Sequence, residues 1–139
     1  MKFAYAQALC TAMIDQARSR GFKPVAAAVL DARGSVRAVL VEDGCSIRRA
    51  EVAIAKANAA LAMGETTREL AAKPPHFLAG IAHIVGGMVP TPGGVFVRDG
   101  SGTVVGAVGV SGESSDNDEQ IALAAIEAVS AQTWTAISI

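Results

Sequence analysis

The chain has 139 residues, 12 Lys and Arg against 13 Asp and Glu, and a formal net charge of -1. It is 51% hydrophobic, with 28 alanines and only 4% aromatic residues. A chain of this length buries roughly two-thirds of the surface its unfolded form exposes, so a single domain over residues 1–139 needs no metal or disulfide staple. The near-neutral charge argues against nucleic acid as a partner, because phosphate neutralisation draws on a basic surface and no Lys/Arg run exceeds Arg48-Arg49. No membrane span is expected either: the uncharged stretch 77–97 carries His83, two prolines and five glycines, which would leave backbone groups unsatisfied in lipid. Asp15, Arg18 and Arg20 interrupt the first apolar segment too early for a secretory leader. Cys10 and Cys45 make no disulfide framework and read as free thiols, so the expected location is the cytoplasm.

The first helix is predicted from Tyr5, Leu9, Met13 and Ala17, which recur once per turn until Gly21. After Pro24, residues 25–30 read as a strand, Asp31-Ala32-Arg33-Gly34 as a turn, and residues 35–41 as the second strand of a hairpin. Ser46 is the expected cap of a second helix whose stripe, Ile47, Ala50, Ile54, Ala57 and Leu61, runs to Gly64. Thr66 and Glu69 have capping-box spacing and predict a short helix through Ala72, stopped by Lys73-Pro74-Pro75. Another helical turn or two is expected over 76–82, its start set by the prolines. Residues 80–112 hold ten of the fourteen glycines, with Arg98 and Asp99 as their only formal charges. Within them Val95-Phe96-Val97 and residues 103–110 read as strands joined by a turn over 98–102. Glycine weakens a strand, so Gly106, Gly109 and Gly112 mark close approach by a ligand or another backbone. Ser115 or Asp116 is the expected cap of a last helix that turns Ile121, Ala125, Ala128 and Val129 inward. This order of elements is an α+β pattern with an antiparallel sheet.

With few rings (Phe3, Tyr5, Phe22, Phe77, Phe96 and Trp134), the core has to be built from Ala, Val, Ile and Leu at close separations. Such residues bury little area each, at roughly 25 cal/mol per Å², so burial in a homo-oligomer is expected.

Several residues are candidates for chemistry. The run Gly106-Ala107-Val108-Gly109-Val110-Ser111-Gly112 lacks both the dinucleotide fingerprint and P-loop spacing, and Glu113, Asp116, Asp118 and Glu119 beyond it would repel a phosphate. His76 and His83 are candidate imidazole ligands for haem iron or a divalent metal, against the simpler reading of two exposed histidines. Two histidines alone do not make a zinc site, so no structural metal is expected. Lys56, set among Ala53, Ile54, Ala55, Ala57 and Ala59, is either a snorkelling lysine or a cation aimed at a pocket, with Glu51 as its nearby partner. Asp31 reads first as a turn residue. Met63 and Met88 either fill core or face a flat ligand. Cys45, beside Arg48 and Arg49, occupies a position where a thiol pKa can be lowered, although packing is the simpler reading for it and for Cys10.

In order and spacing, Asp31-Ala-Arg-Gly34 after an Ala/Val strand, Asp43-Gly44, Ala55-Lys56-Ala57, Gly64 with Thr66-Thr67, Gly93-Gly94, and the 106–112 run with Asp118 downstream resemble the GlcG/HbpS family. That family includes the C-terminal domain of PduO-type proteins. The resemblance covers residues 5–129. It implies a profilin-like α+β fold, a five-stranded antiparallel sheet flanked by helices, and assembly into dimers and up to octamers. Haem is the cofactor it suggests, since some relatives bind haem and act in haem or iron sensing; others are encoded with catabolic pathways for small acids or diols. Two departures stand out. Relatives that hold haem through a histidine in the first helix have no counterpart here, because residues 5–20 contain none. A ring at Phe96 occupies the customary proline position of a Gly-Gly-x-Pro pattern.

The function expected on these grounds is small-molecule binding, with haem as the candidate ligand, by an oligomeric protein accessory to a catabolic or haem/iron-responsive system. Its pocket would lie between the second helix, residues 76–92 and the glycine-rich strands. Lys56 would pair with a ligand carboxylate, His76 or His83 would be the axial ligand, and Met88 would face the ligand. Gly93, Gly94, Gly106 and Gly109 would let a flat molecule lie on backbone. The alternative is a catabolic isomerase, hydratase or lyase for a small carboxylated or carbonyl metabolite, with Lys56 stabilising an enolate and Glu51, Asp31 or His76 moving the proton. A third reading is a structural or regulatory oligomer whose glycines serve packing alone.

Overall fold

The structure is a computed structural model that describes residues 1–84 and 86–132, so Trp134 lies outside the described residues. The elements are α1 (Phe3–Ser19), β1 (Ala26–Asp31), β2 (Val36–Val41), α2 (Arg49–Met63), α3 (Thr67–Ala71), α4 (Pro75–Ile81), β3 (Gly94–Arg98), β4 (Val104–Ser111) and α5 (Ser115–Gln132). Every strand pairing is antiparallel, in the order β2-β1-β4-β3. The α+β class expected from the sequence is therefore observed. Among the described residues, however, the sheet has four strands where the resemblance implies five. The chain between α4 and β3 adds none: Pro90 and Pro92 have no N–H for a ladder, and Gly86, Gly87 and Gly93 take positive φ values of 102°, 71° and 129°.

Both hairpins use the same Asp-x-x-Gly turn. In the first, Asp31 Oδ1 accepts the N–H of Arg33 at 3.0 Å and of Ser35 at 3.1 Å, while Gly34 N–H donates to the Asp31 carbonyl. In the second, Asp99 Oδ1 accepts from Ser101 and Thr103, while Gly102 N–H donates to the Asp99 carbonyl. The glycines sit at φ of 80° and 85°, a left-handed conformation that side chains resist. Each turn is followed by a register shift, at Leu30/Val36 and Arg98/Val104.

Period-two alternation along β1 divides the core into two layers. Ala27 and Val29 face α1 and α5, where Tyr5, Leu9, Met13, Val97, Val108, Val110, Ile121 and Ala125 complete one cluster. The predicted inner stripe of α1 is fully buried. Ala26, Ala28 and Leu30 face the opposite way and meet Ala53, Ala57 and Ala60 of α2. This stripe differs from the expected one. Ile47 lies before α2 and is 88% exposed, while the buried face is Ala53, Lys56, Ala57, Ala59 and Ala60. The helix sits too close to the sheet for larger side chains at its centre. Ser46 does not cap it either: its Oγ accepts from the Arg49 side chain, and α2 begins at Arg49 without a side-chain cap. The cap expected at Ser115 or Asp116 is supplied one residue earlier by Ser114, whose Oγ accepts the Asn117 N–H. The Thr66–Glu69 capping box forms as predicted, and Pro75 opens α4.

Close approach of α2 explains two of the strand glycines. A Cβ at Gly109 would collide with the Ala53 carbonyl, and one at Gly94 with the Lys56 carbonyl and, at 2.7 Å, Thr67 Cγ2. Gly109→Ala is expected to lower the stability read from urea unfolding by about 3 kcal/mol, the upper part of the range for overpacking a close-packed core. Gly100→Ala, where a Cβ meets nothing within 4 Å, should leave the urea midpoint almost unchanged.

Candidate ligand groove and a buried ammonium

Helix α2 delivers Lys56 into the interior. Its Nζ donates to the carbonyls of Pro92 and Val110 and to Asp118 Oδ2, each at 2.9 Å, which uses all three ammonium donors. The two charged side chains are 3% and 2% exposed. Asp118 Oδ1 is bonded too, accepting the Glu113 N–H at 3.0 Å. Burial holds the Lys56 pKa below the usual lysine value and pushes Asp118 above the usual carboxylate value, against the attraction each feels for the other. The lysine is thus neither a snorkelling cation nor one aimed at open space: its contacts join α2, the segment before β3, β4 and α5. Nor is Glu51 its partner. Five residues along a helix is roughly 140° around it, and Glu51 instead pairs on the exposed side with Arg48 at 2.8 Å. Arg49, near the same end, donates to Ser111 Oγ at 3.2 Å.

The other sequence candidates are scattered. Asp31 serves its turn at the end of β1 beside Gly106, remote along β4 from the Val110 carbonyl that Lys56 meets. His76 is exposed at the second residue of α4, and His83 is exposed beyond that helix. Met88 is 8% exposed and packs with Ala59, Leu70 and Ile81, while Met63 packs against the same cluster. A Cβ on Gly93 would meet the Val110 carbonyl and Lys56, and one on Gly106 the Leu30 carbonyl and Met1. All four candidate glycines therefore face protein atoms, and the described lining of the groove between α1 and α5 includes none of Lys56, His76, His83, Met88 or these glycines. Burial pushes the Cys10 thiol up to about 12 and raises that of Cys45 as well; they donate to the carbonyls of Ala27 and Pro24. Among the described residues, no group of three or more His, Cys, Asp or Glu is placed to hold a metal ion, and no helix is long and apolar enough to cross a membrane.

A groove lies on the other side of the sheet. It runs between α1 and α5 and has a volume of about 490 Å³, within the few-hundred to thousand Å³ range of small-molecule sites. Ala8 and Ala12 of α1 and Ala128 and Val129 of α5 form its apolar floor; Ala4, Gln7, Thr11 and Asp15 stand at its rim, with Gln16 at one end. Along α1, Ala8 and Ala12 flank the buried stripe of Tyr5, Leu9 and Met13 and pack partly against its core, while Ala4, Gln7, Thr11 and Asp15 continue the lining onto the exposed face. In the sequence that face reads as a plain solvent face of small and polar residues, and nothing in it signals that α5 supplies a second wall.

The fold is an α+β domain whose antiparallel sheet carries α1 and α5 on one face and α2 on the other, and comparison with known proteins identifies the family. The model of the family described as haem degrading protein HbpS-like matches residues 1–127, and the chain belongs to that family. The corrinoid adenosyltransferase PduO of Citrobacter freundii is 33% identical over 112 residues, 79% of this chain but 33% of that protein, so the chain spans about a third of its curated relative. Among solved structures, the PduOC–haem complex superposes with a TM-score of 0.82 at 28% identity, covering 92% of this chain and 94% of the other. Streptomyces reticuli HbpS, as a double mutant, gives 0.79 at 29% identity, covering 92% and 86%. Klebsiella pneumoniae ORFY gives 0.83 at 26% identity, covering 94% and 91%.

Lys56→Met leaves a carboxyl buried opposite a thioether, so it is expected to cost about 3–5 kcal/mol in chemical unfolding. The double variant Lys56→Met with Asp118→Leu should recover most of that loss. Full stability in the single variant would contradict this account of the pair.

Proposed function

We propose that this HbpS-like chain binds a small molecule in the α1–α5 groove, as an assembly of identical copies accessory to a catabolic or haem/iron-responsive system. The carrying observation is the groove itself, with its apolar floor, hydrogen-bonding rim and suitable volume. It runs along the first helix, the element through which haem-holding members of the family are expected to grip their ligand. The similarity to the PduOC–haem complex supports a ligand-binding role.

Haem is the ligand the family suggests, and the donor set decides how far it fits. Iron is ligated by His, Cys, Met or Tyr, and none of these is among the described residues that line the groove. His76 and His83 belong to α4 and the turn after it, outside the groove lining. Haem would enter this groove only as a flat apolar body, without an iron ligand from its walls. Titration with micromolar haemin should accordingly give no Soret shift characteristic of histidine ligation. Such a shift, if lost in the His76→Ala, His83→Ala double variant, would move the site to α4 and overturn the groove assignment.

The enzyme reading gains nothing from Asp31, Glu51, Lys56 and His76, which the fold holds apart. Assembly is supported by exposed apolar side chains on edge strand β2 and just beyond it: Val36 (51%), Leu40 (42%), Val41 (53%) and Ile47 (88%). Sedimentation equilibrium should give a mass that is a multiple of 14.1 kDa, reduced by Val41→Lys with Ile47→Lys. A single-chain mass for the unsubstituted protein would end the assembly reading.

A further inference from the structure

Among the described residues, the α1–α5 groove has a lining charge of one sign: only Asp15, at the rim, carries a formal charge, and none of the described lining residues is Lys or Arg. The cations at the end of α1 are held by other groups. Arg18 pairs with Glu42 at 2.6 Å and donates to the carbonyls of Phe22 and Lys23. Arg20 reaches the lining only through Gln16, whose Oε1 it meets at 3.4 Å. Gln7 and Thr11 add neutral hydrogen-bonding groups beside Asp15, and the alanines of the floor let a flat hydrocarbon body come close to the helix.

We infer that the groove takes an uncharged or cationic ligand, in the simplest case an amine on a flat apolar body, and disfavours carboxylated ones. The inference rests on the groove being the ligand site. A ligand ammonium would sit by the Asp15 carboxylate with its hydrocarbon on Ala8, Ala12, Ala128 and Val129. A carboxylated ligand of the same shape would bring like charge to Asp15 and find no cation in the walls to offset it. A tetrapyrrole with two propionates presents that same wrong sign, so the charge of the groove and its lack of iron donors point the same way.

The test uses two probes of matched shape, 2-naphthylmethylammonium and 2-naphthoate, titrated into the full chain and followed by calorimetry and by the amide resonances of α1. The ammonium should bind about tenfold more tightly at low salt, the combined effect of one exposed attraction gained and one repulsion avoided. That ratio should fall toward unity in 1 M salt, where screening reaches within about 3 Å, and also in Asp15→Asn. Ala8→Trp, which fills the floor, should weaken both probes. Equal or reversed affinities in the unsubstituted chain, or an unchanged ratio in Asp15→Asn, would overturn the charge inference while leaving the groove as the site. Undiminished binding of both probes by Ala8→Trp would overturn the groove assignment itself. If neither probe binds and Ala8→Trp lowers the sedimentation mass, the groove is a contact with a second copy, and both readings fall.

Discussion

Helix α2 lies against the sheet with backbone where side chains ordinarily stand, and the rest of the architecture follows from that approach. Gly94 and Gly109 leave the strand surface bare beneath it, while Ala53, Ala57 and Ala60 meet Ala26, Ala28 and Ala107. Apart from Leu30, the buried residues of this cluster are alanines, because a close-packed interior accepts no extra methylene without displacement. The abundance of alanine is thus a requirement of spacing as much as of helix propensity. At this depth a long polar side chain has no route to water, and Lys56 is accommodated only because two carbonyls and one carboxylate converge on its ammonium.

A buried ion pair of this kind is poor evidence for net stability, since removing two charges from water offsets most of their attraction. Its consequence here is positional. Pro92 and Val110 belong to the chain leading into β3 and to β4, Asp118 belongs to the first turn of α5, and one Nζ fixes all three relative to α2. Thr67 adds a second tie, its hydroxyl accepting the Gly94 N–H at 2.7 Å. The glycine-rich face of the sheet is therefore tied together by the buried lysine and by Thr67.

The opposite face is built from larger side chains and leaves room outside itself. Tyr5, Leu9 and Met13 are fully buried between α1 and the sheet, and the Tyr5 hydroxyl has no hydrogen-bond partner among the described residues. Because α1 turns its bulky residues inward, its outer surface against α5 is lined by alanine and short polar groups, and that is where the groove lies. Family membership and fold are shared with a haem complex, yet function resides in the residues of a site rather than in the scaffold that carries it. In the groove proposed as the site, the described residues are an acidic rim and an apolar floor without an iron donor.

Local physics made much of the fold legible in the sequence alone: the inner stripe of α1, the Thr66–Glu69 box, the proline start of α4, the Asp-x-x-Gly turns and the α+β order. Each depends on residues a few positions apart, whose geometry is set by helical period, capping or turn chemistry. The candidate site was read less well, because it depends on contacts between distant segments. Lys56 finds its carboxylate 62 residues away in Asp118, while the nearer Glu51 points elsewhere on the helix. The strand glycines were correctly read as places of close approach, but only packing shows that the approaching group at Gly94 and Gly109 is the backbone of α2. The groove is hidden for the same reason, since its two walls come from opposite ends of the described chain. Sequence determined which elements form and the apolar face of α1; tertiary structure decided which residues of α2 are buried and where a groove remains between α1 and α5, because both follow from how close whole elements can come.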